Sequence, residues 1–169
     1  MILYPNLYCK NVMAITVEIL QKNNIKGLIL DVDNTLIDFD LKLLDGAKIC
    51  CENLKKCGIK LCILSNTNKL EKVKKVASTL DLEYINFAKK PSKSGFKKGL
   101  KYLGLDPKNV AAVGDQIMTD VFGGNRMGMY TILTKPLDKR DIFITKVKRP
   151  LEKIIIKCYL KKVKQESER

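Results

Sequence analysis

Short, unbroken apolar runs alternate with longer amphipathic stretches along this chain of 169 residues, and the runs end in polar or charged residues. Leu28-Ile29-Leu30 and residues 59–64, 83–87, 110–113 and 130–133 read as five strands. Residues 11–21, 43–57, 68–80, 94–103 and 119–127 read as helices before and between them, and Gly58 and Gly104 stop two of these. Pro150 opens a last helix through residue 163. Strands alternating with helices of this length imply βαβ units and a parallel sheet. The first, second and fourth strands are apolar throughout, which fits a sheet covered on both faces. The expected fold is therefore α/β, a three-layer sandwich around a mainly parallel five-stranded sheet. Its length suits one domain, taken as 1–169, with a helical leader over 1–24 and a basic helix and tail over 147–169.

The chain contains no His. Ser-His-Asp and Cys-His triads, histidine bases and His-ligated zinc are thereby excluded. Any catalysis must use carboxylates, Ser or Thr, Cys, Lys or a carboxylate-bound metal. Six Cys residues include no CxxC pair, which argues against a zinc ribbon and for reduced Cys used as small core residues. No apolar run is long enough to span a bilayer, and the N-terminus lacks the pattern of a secretory signal, so a cytoplasmic location is expected. The net charge is +14, and half of it falls after residue 134. Such an excess suits nucleic acid, an anionic membrane or acidic substrates. Only four of the 32 basic residues are Arg, which weakens the nucleic-acid reading.

Ligands of open parallel sheets bind beyond the carboxyl ends of the strands. Asp31 and Asp33 follow the first strand, Ser65 and Asn66 the second, Lys90 the third, and Asp115 and Asp120 the fourth. Asp31 and Asp33 lie two residues apart on an extended segment, so they point the same way and repel unless a cation neutralises them. Asp-Asn also suits a plain turn, and Asp120 also suits a helix cap. Several carboxylates without His make a site for a hard cation, Mg2+ before Zn2+. Ser65-Asn66-Thr67 offers hydroxyls and backbone N–H groups at a helix start, suited to an anion or to simple capping. Lys90, held extended by Pro91, is a point charge suited to phosphate.

In this order, the segments DVDNT (31–35), LSN (64–66), KKP (89–91) and GDQIMTD (114–120) resemble the four motifs of the haloacid dehalogenase superfamily. More narrowly, 4–12, 25–36, 88–96 and 113–128 resemble its subfamily IIIA, YqeG-type group, which is related to phosphatidylglycerophosphate phosphatases. The resemblance implies a Rossmann-like fold and Mg2+-dependent phosphatase chemistry. Asp31 would be the nucleophile and Asp33 the general acid and base. Asp31, the Asp33 carbonyl and Asp115 would hold the metal, with Asp120 supporting it. Ser65, Asn66 and Lys90 would bind the phosphoryl group, and Thr35 would steady the loop.

From Asp33 to Ser65 is 32 residues and from Ser65 to Lys90 is 25, room for one helix and one strand each and for no cap domain. An open site suits a large or surface-bound substrate. The resemblance implies phosphatidylglycerophosphate, a lipid headgroup. Residues 150–164 carry an apolar stripe of Leu151, Ile154, Ile155, Cys158, Tyr159 and Val163 beside a lysine rim. That helix suits either coverage of the sheet or peripheral contact with an anionic membrane. The alternatives are a phosphatase of soluble metabolites or nucleic-acid ends, and a non-catalytic module binding RNA or ribosomes. No aromatic stacking motif interleaves the lysines, and the intact acidic set opposes the non-catalytic reading. The oligomeric state is open.

Overall fold

The computed structural model describes residues 2–138, 140 and 143–167. Six parallel strands form one sheet in the order β1-β6-β5-β2-β3-β4. They are β1 (Leu7–Cys9), β2 (Gly27–Leu30), β3 (Lys60–Leu64), β4 (Glu83–Ile85), β5 (Val110–Gly114) and β6 (Tyr130–Thr134). The helices are α1 (Val17–Lys22), α2 (Ala47–Lys56), α3 (Leu70–Leu80), α4 (Lys93–Leu103), α5 (Phe122–Arg126) and α6 (Phe143–Ser167).

The apolar strands feed two cores because alternate side chains leave opposite faces of the sheet. Leu28, Leu30, Leu61, Ile63 and Val113 pack with α2 and α3, through Cys51, Leu54, Val73 and Leu80. Ile29, Cys62, Leu64 and Ala112 pack with α4, through Phe96, Leu100 and Leu103. The central strands β2 and β5 are buried along their whole length, as a doubly covered sheet requires.

Six strands replace the expected five. The additional strand, β1, is three residues long and pairs with β6 at the sheet edge. Its short, half-buried stretch after Pro5 carries no run that marks a strand. The helix expected over 11–21 is two pieces, a 3-10 turn Val12–Ala14 and α1. Asn11 and Thr16 each cap one of them by accepting a backbone N–H, from Met13 and Ile19, and Ile15 between them is extended. The helix expected from 43 begins at Ala47, because Gly46 at φ +84° is left-handed. Residues 33–43 instead make two short bridges, Asp33 to Ile37 and Ile37 to Leu43. The helix expected over 119–127 opens as a π-helical turn, Ile117–Val121, before α5.

Pro150 lies inside α6 rather than at its start. A proline suits a first helical turn, where no N–H is needed, but the helix extends seven residues further back. The expected single stripe on this helix is split. Ile155 and Ile156 pack on Ile117, Val121 and Leu133, and Tyr159 meets Tyr4 edge-on with ring centroids 5.8 Å apart. Leu151, Ile154 and Cys158 face outward. Among the described residues no helix is long and apolar enough to cross a membrane.

The cysteines divide by burial. Cys62 is fully buried and its thiol is pushed up to about 12 by burial, whereas Cys57 and Cys158 are exposed. Only a thiolate reacts with disulfide reagents. Native protein is therefore expected to lose Cys57 and Cys158 to Ellman's reagent first, and Cys62 only on unfolding. Peptide mapping after a short exposure checks this; rapid labelling of Cys62 would contradict the buried position.

Candidate active site

The carboxyl ends of β2, β3 and β5 meet at one edge of the sheet, and the chain leaves each with a polar residue. Asp31 continues β2 by one residue, its N–H donating to the Val113 carbonyl at 2.9 Å. Asp115 follows β5, and Asp120 lies in the π-helical turn after it. The carboxylates of Asp31, Asp115 and Asp120 are all buried and lie within 4.8 Å of one another. Gly114 allows that approach, since a Cβ there would meet the Asp120 Cγ at 2.2 Å. Gln116 N–H and the Thr119 hydroxyl donate to Asp120 Oδ2, both at 3.2 Å, and set its orientation.

Lys90 enters this cluster from the loop after β4. Its ammonium donates to Asp31 Oδ1 at 2.5 Å and to Asp120 Oδ1 at 2.7 Å. Burial pushes the Asp31 carboxyl up to about 7, with Lys90 pulling it down and Asp120 and Asp33 pushing it further up. Burial also acts to lower Lys90, but Asp120 and Asp31 outweigh it and hold the ammonium above its ordinary value. The donor set of the cluster is oxygen alone, with neither His nor Cys. Close, dry carboxylates of that kind fit a hard divalent cation such as Mg2+.

Asn66 has a role that its place in the sequence did not suggest. Its side chain clamps the Lys90 backbone, with Oδ1 accepting from the Lys90 N–H at 2.6 Å and Nδ2 donating to the Lys90 carbonyl at 3.0 Å. Ser65 is buried, and its hydroxyl accepts from the Thr67 N–H at 3.2 Å. Thr35 is buried in the loop after β2, and its hydroxyl has no hydrogen-bond partner among the described residues. Asp33 stands apart from the carboxylate cluster: its half-exposed side chain pairs with Lys72 of α3.

Lys72 and Glu152 were not legible as site residues. Lys72 is one of many lysines on a basic helix, and only the packing of α3 brings it to Asp33. Glu152 is a lone acid on the basic α6, yet it is buried and accepts from the Met118 N–H at 3.1 Å, beside the Asp120 turn.

Asp31, Asp33, Asn66, Lys72 and Lys90 line a cleft of about 710 Å³ that also takes in Thr67, Lys69, Phe39, Leu41, Phe87 and Arg140. The segments between Asp33 and Ser65 and between Ser65 and Lys90 both contribute to its lining, each with a single helix and a single strand, and Gln116, Thr119 and Arg140 add to it.

The family model for haloacid dehalogenase-like hydrolases matches residues 39–128. A protein of Bacillus subtilis described as "Probable phosphatase YqeG" is 37% identical over 159 residues, covering 94% of this chain and 92% of that one. The chain belongs to the haloacid dehalogenase-like hydrolases. The chain is also similar to "Phosphatidylglycerophosphate phosphatase 1, chloroplastic/mitochondrial" of Arabidopsis thaliana, 27% identical over 168 residues. This chain spans 94% of itself but 48% of that protein, about half its length. A solved structure, p-nitrophenyl phosphatase from Archaeoglobus fulgidus, aligns with TM-score 0.54 at 18% identity, covering 74% of this chain and 92% of that one. At that identity it speaks for the shared fold of these hydrolases.

Proposed function

We propose that this phosphatase is a Mg2+-dependent phosphomonoester hydrolase that works through an aspartyl-phosphate on Asp31. The observation that carries the reading is the buried Asp31 at the end of β2, 2.5 Å from Lys90 and open to the cleft that Asp33 also lines. An Asp31 carboxylate oxygen would attack phosphorus as the ester oxygen leaves, splitting one hard displacement into two easier ones. Asp33 would protonate the leaving oxygen, then take a proton from the water that attacks the aspartyl-phosphate. Lys90 would balance the charge on the transferring group, held in register by the Asn66 clamp. The Ser65 hydroxyl and the Asn66 N–H would hold its other oxygens. Asp31, Asp115 and the Asp33 carbonyl would hold Mg2+, with Asp120 beside them, and the bound cation would supply charge neutralisation to the phosphoryl oxygens.

We further propose phosphatidylglycerophosphate as the substrate, giving phosphatidylglycerol, at the inner face of a membrane that the chain touches peripherally. The Arabidopsis relative is described as acting on that lipid. An uncapped cleft with apolar groups at its mouth suits a headgroup presented from a surface. The test is Mg2+-dependent phosphate release from the lipid in mixed micelles, beside glycerol 3-phosphate, p-nitrophenyl phosphate and a 3′-phosphorylated oligonucleotide. The lipid is expected to lead in kcat/KM by about 100-fold or more, since binding energy from remote groups is used at the reacting centre. Equal, slow turnover of all four would remove the lipid assignment. Preference for the oligonucleotide or the soluble ester would move the substrate to those classes, and no release from any would favour a binding module.

A further inference from the structure

We propose that the apolar rim of the cleft mouth, formed by Phe39, Leu41 and Phe87, is an edge that docks on an anionic bilayer. The inference rests on the lipid-phosphatase reading and names the face that would meet the membrane. These three side chains are 49%, 56% and 57% exposed, and all line the cleft that holds Asp31 and Lys90. They come from two separate segments, the loop after Asp33 and the loop after β4, so no single helix or strand pattern brings them together. Leu41 lies at φ +64° and Phe87 at φ +50°, left-handed positions that bulky residues rarely adopt. The loops thus accept backbone strain at two positions while holding apolar side chains out of the core. Strain of that kind persists where the surroundings impose it, and it clusters at functional sites.

Two exposed lysines beside the rim and the net charge of the whole chain favour an anionic surface. Lys69 lines the cleft and is exposed, and Lys89, two residues past Phe87, is exposed as well. Arg140 lies over the Phe39 ring at 4.9 Å and is bonded to Asp40 and Asp138, so this trio holds the rim together and carries one negative charge in excess. The cleft wall itself carries the acids Asp31, Asp33 and Asp38 against the bases Lys69, Lys72, Lys90 and Arg140, a small basic excess. Behind the rim stands a chain of net charge +14. Apolar side chains seated at the headgroup boundary, with lysines beside them, are the elements of interfacial binding. In this pose the bilayer closes the mouth of the cleft, and a headgroup phosphate need only descend to reach Asp31.

The outward face of α6, with Leu151 and Ile154, is the rival surface. Glu152 touches Met118 beyond the end of β5, but Tyr159 touches Tyr4 ahead of β1. The helix therefore runs down the edge of the sheet, away from the cleft.

Co-sedimentation of the full chain with vesicles of phosphatidylcholine and phosphatidylglycerol tests the proposal, with pure phosphatidylcholine vesicles alongside. The triple variant Phe39→Ser, Leu41→Asn, Phe87→Asn uses Asn because it tolerates left-handed backbone. It is expected to lower the partition into anionic vesicles about tenfold or more. The Leu151→Ser, Ile154→Ser variant is expected to stay within about twofold of the parent. Thermal melts check folding, and the single variant Phe39→Ser, at an ordinary backbone position, repeats the test if the triple variant does not melt cooperatively. No binding by the parent, parent-like binding by the rim variants, or loss confined to the α6 variant would each overturn the docking edge. Hydrolysis of p-nitrophenyl phosphate by the parent without vesicles is measured separately. Its absence, with vesicle binding intact, counts against the catalytic reading and leaves the docking edge standing.

Discussion

Replacing Asp31 with Asn is expected to lower phosphate release by about 10⁴-fold or more, a loss of roughly 5.5 kcal/mol of transition-state stabilisation. Asn has nearly the shape of Asp but no carboxylate oxygen to attack phosphorus, so the covalent route closes. The fold should tolerate the change. The Asp31 backbone N–H keeps its bond to Val113, and Lys90 keeps Asp120 as a partner. The neutral amide also relieves the cost that burial places on the Asp31 carboxylate. Single-turnover phosphate release and intact mass after acid quench give the two readouts. The parent should trap a phosphorylated chain and the variant should not. A variant within about tenfold of the parent would show that Asp31 is not the nucleophile.

Replacing Lys90 with Met is expected to destabilise the metal-free fold by about 3–5 kcal/mol. Lys90 is the ammonium that bridges Asp31 and Asp120, and both carboxylates are buried. Met fills the same channel but leaves two negative charges facing each other out of water. At about 2–4 °C per kcal/mol for a chain of this size, the melting temperature should drop by about 6–20 °C. The pH dependence follows from Asp31. Its folded value is raised above the ordinary carboxylate value, so folding takes up a proton there. Its contribution is present below the ordinary value of 3.8 and is lost as pH rises through about 7. Without Lys90 that loss deepens, because the cation that favoured the ionised form is gone. Denaturant titrations should therefore show a larger deficit at about pH 8 than at about pH 5, where the Asp31 carboxyl of the variant is protonated. An equal deficit at both would assign the loss to packing instead of charge.

Residue spacing carried the α/β class and the order of the main strands, because buried strands and amphipathic helices leave different periods. It also brought Asp31, Ser65, Lys90, Asp115 and Asp120 to one edge, because the carboxyl ends of parallel strands share that edge. Short elements escaped. β1 has three residues, and what makes it a strand is its pairing with β6, which local sequence does not encode. Caps at Asn11 and Thr16 were present in the sequence, but two caps inside one apolar stretch read as a single helix until the extended Ile15 separated them.

The identities of the charged groups, and their order between the strands, were determined by the sequence alone: a chain without His, with acids after β2 and β5 and a lysine before a proline, admits little but carboxylate and cation chemistry. Which of these groups touch was decided by tertiary structure. Asp120 joins Asp31 and Asp115 because Gly114 makes room for it. Asp33 turns to Lys72 instead, and Asn66 grips the Lys90 backbone. Glu152, 34 residues along the chain from Met118, is drawn into the Asp120 turn. The physical reason is range. Periodicity and turn chemistry act over a few residues, whereas a contact between a carboxylate and an ammonium 59 positions apart, as between Asp31 and Lys90, forms only when the sheet brings the two strand ends together.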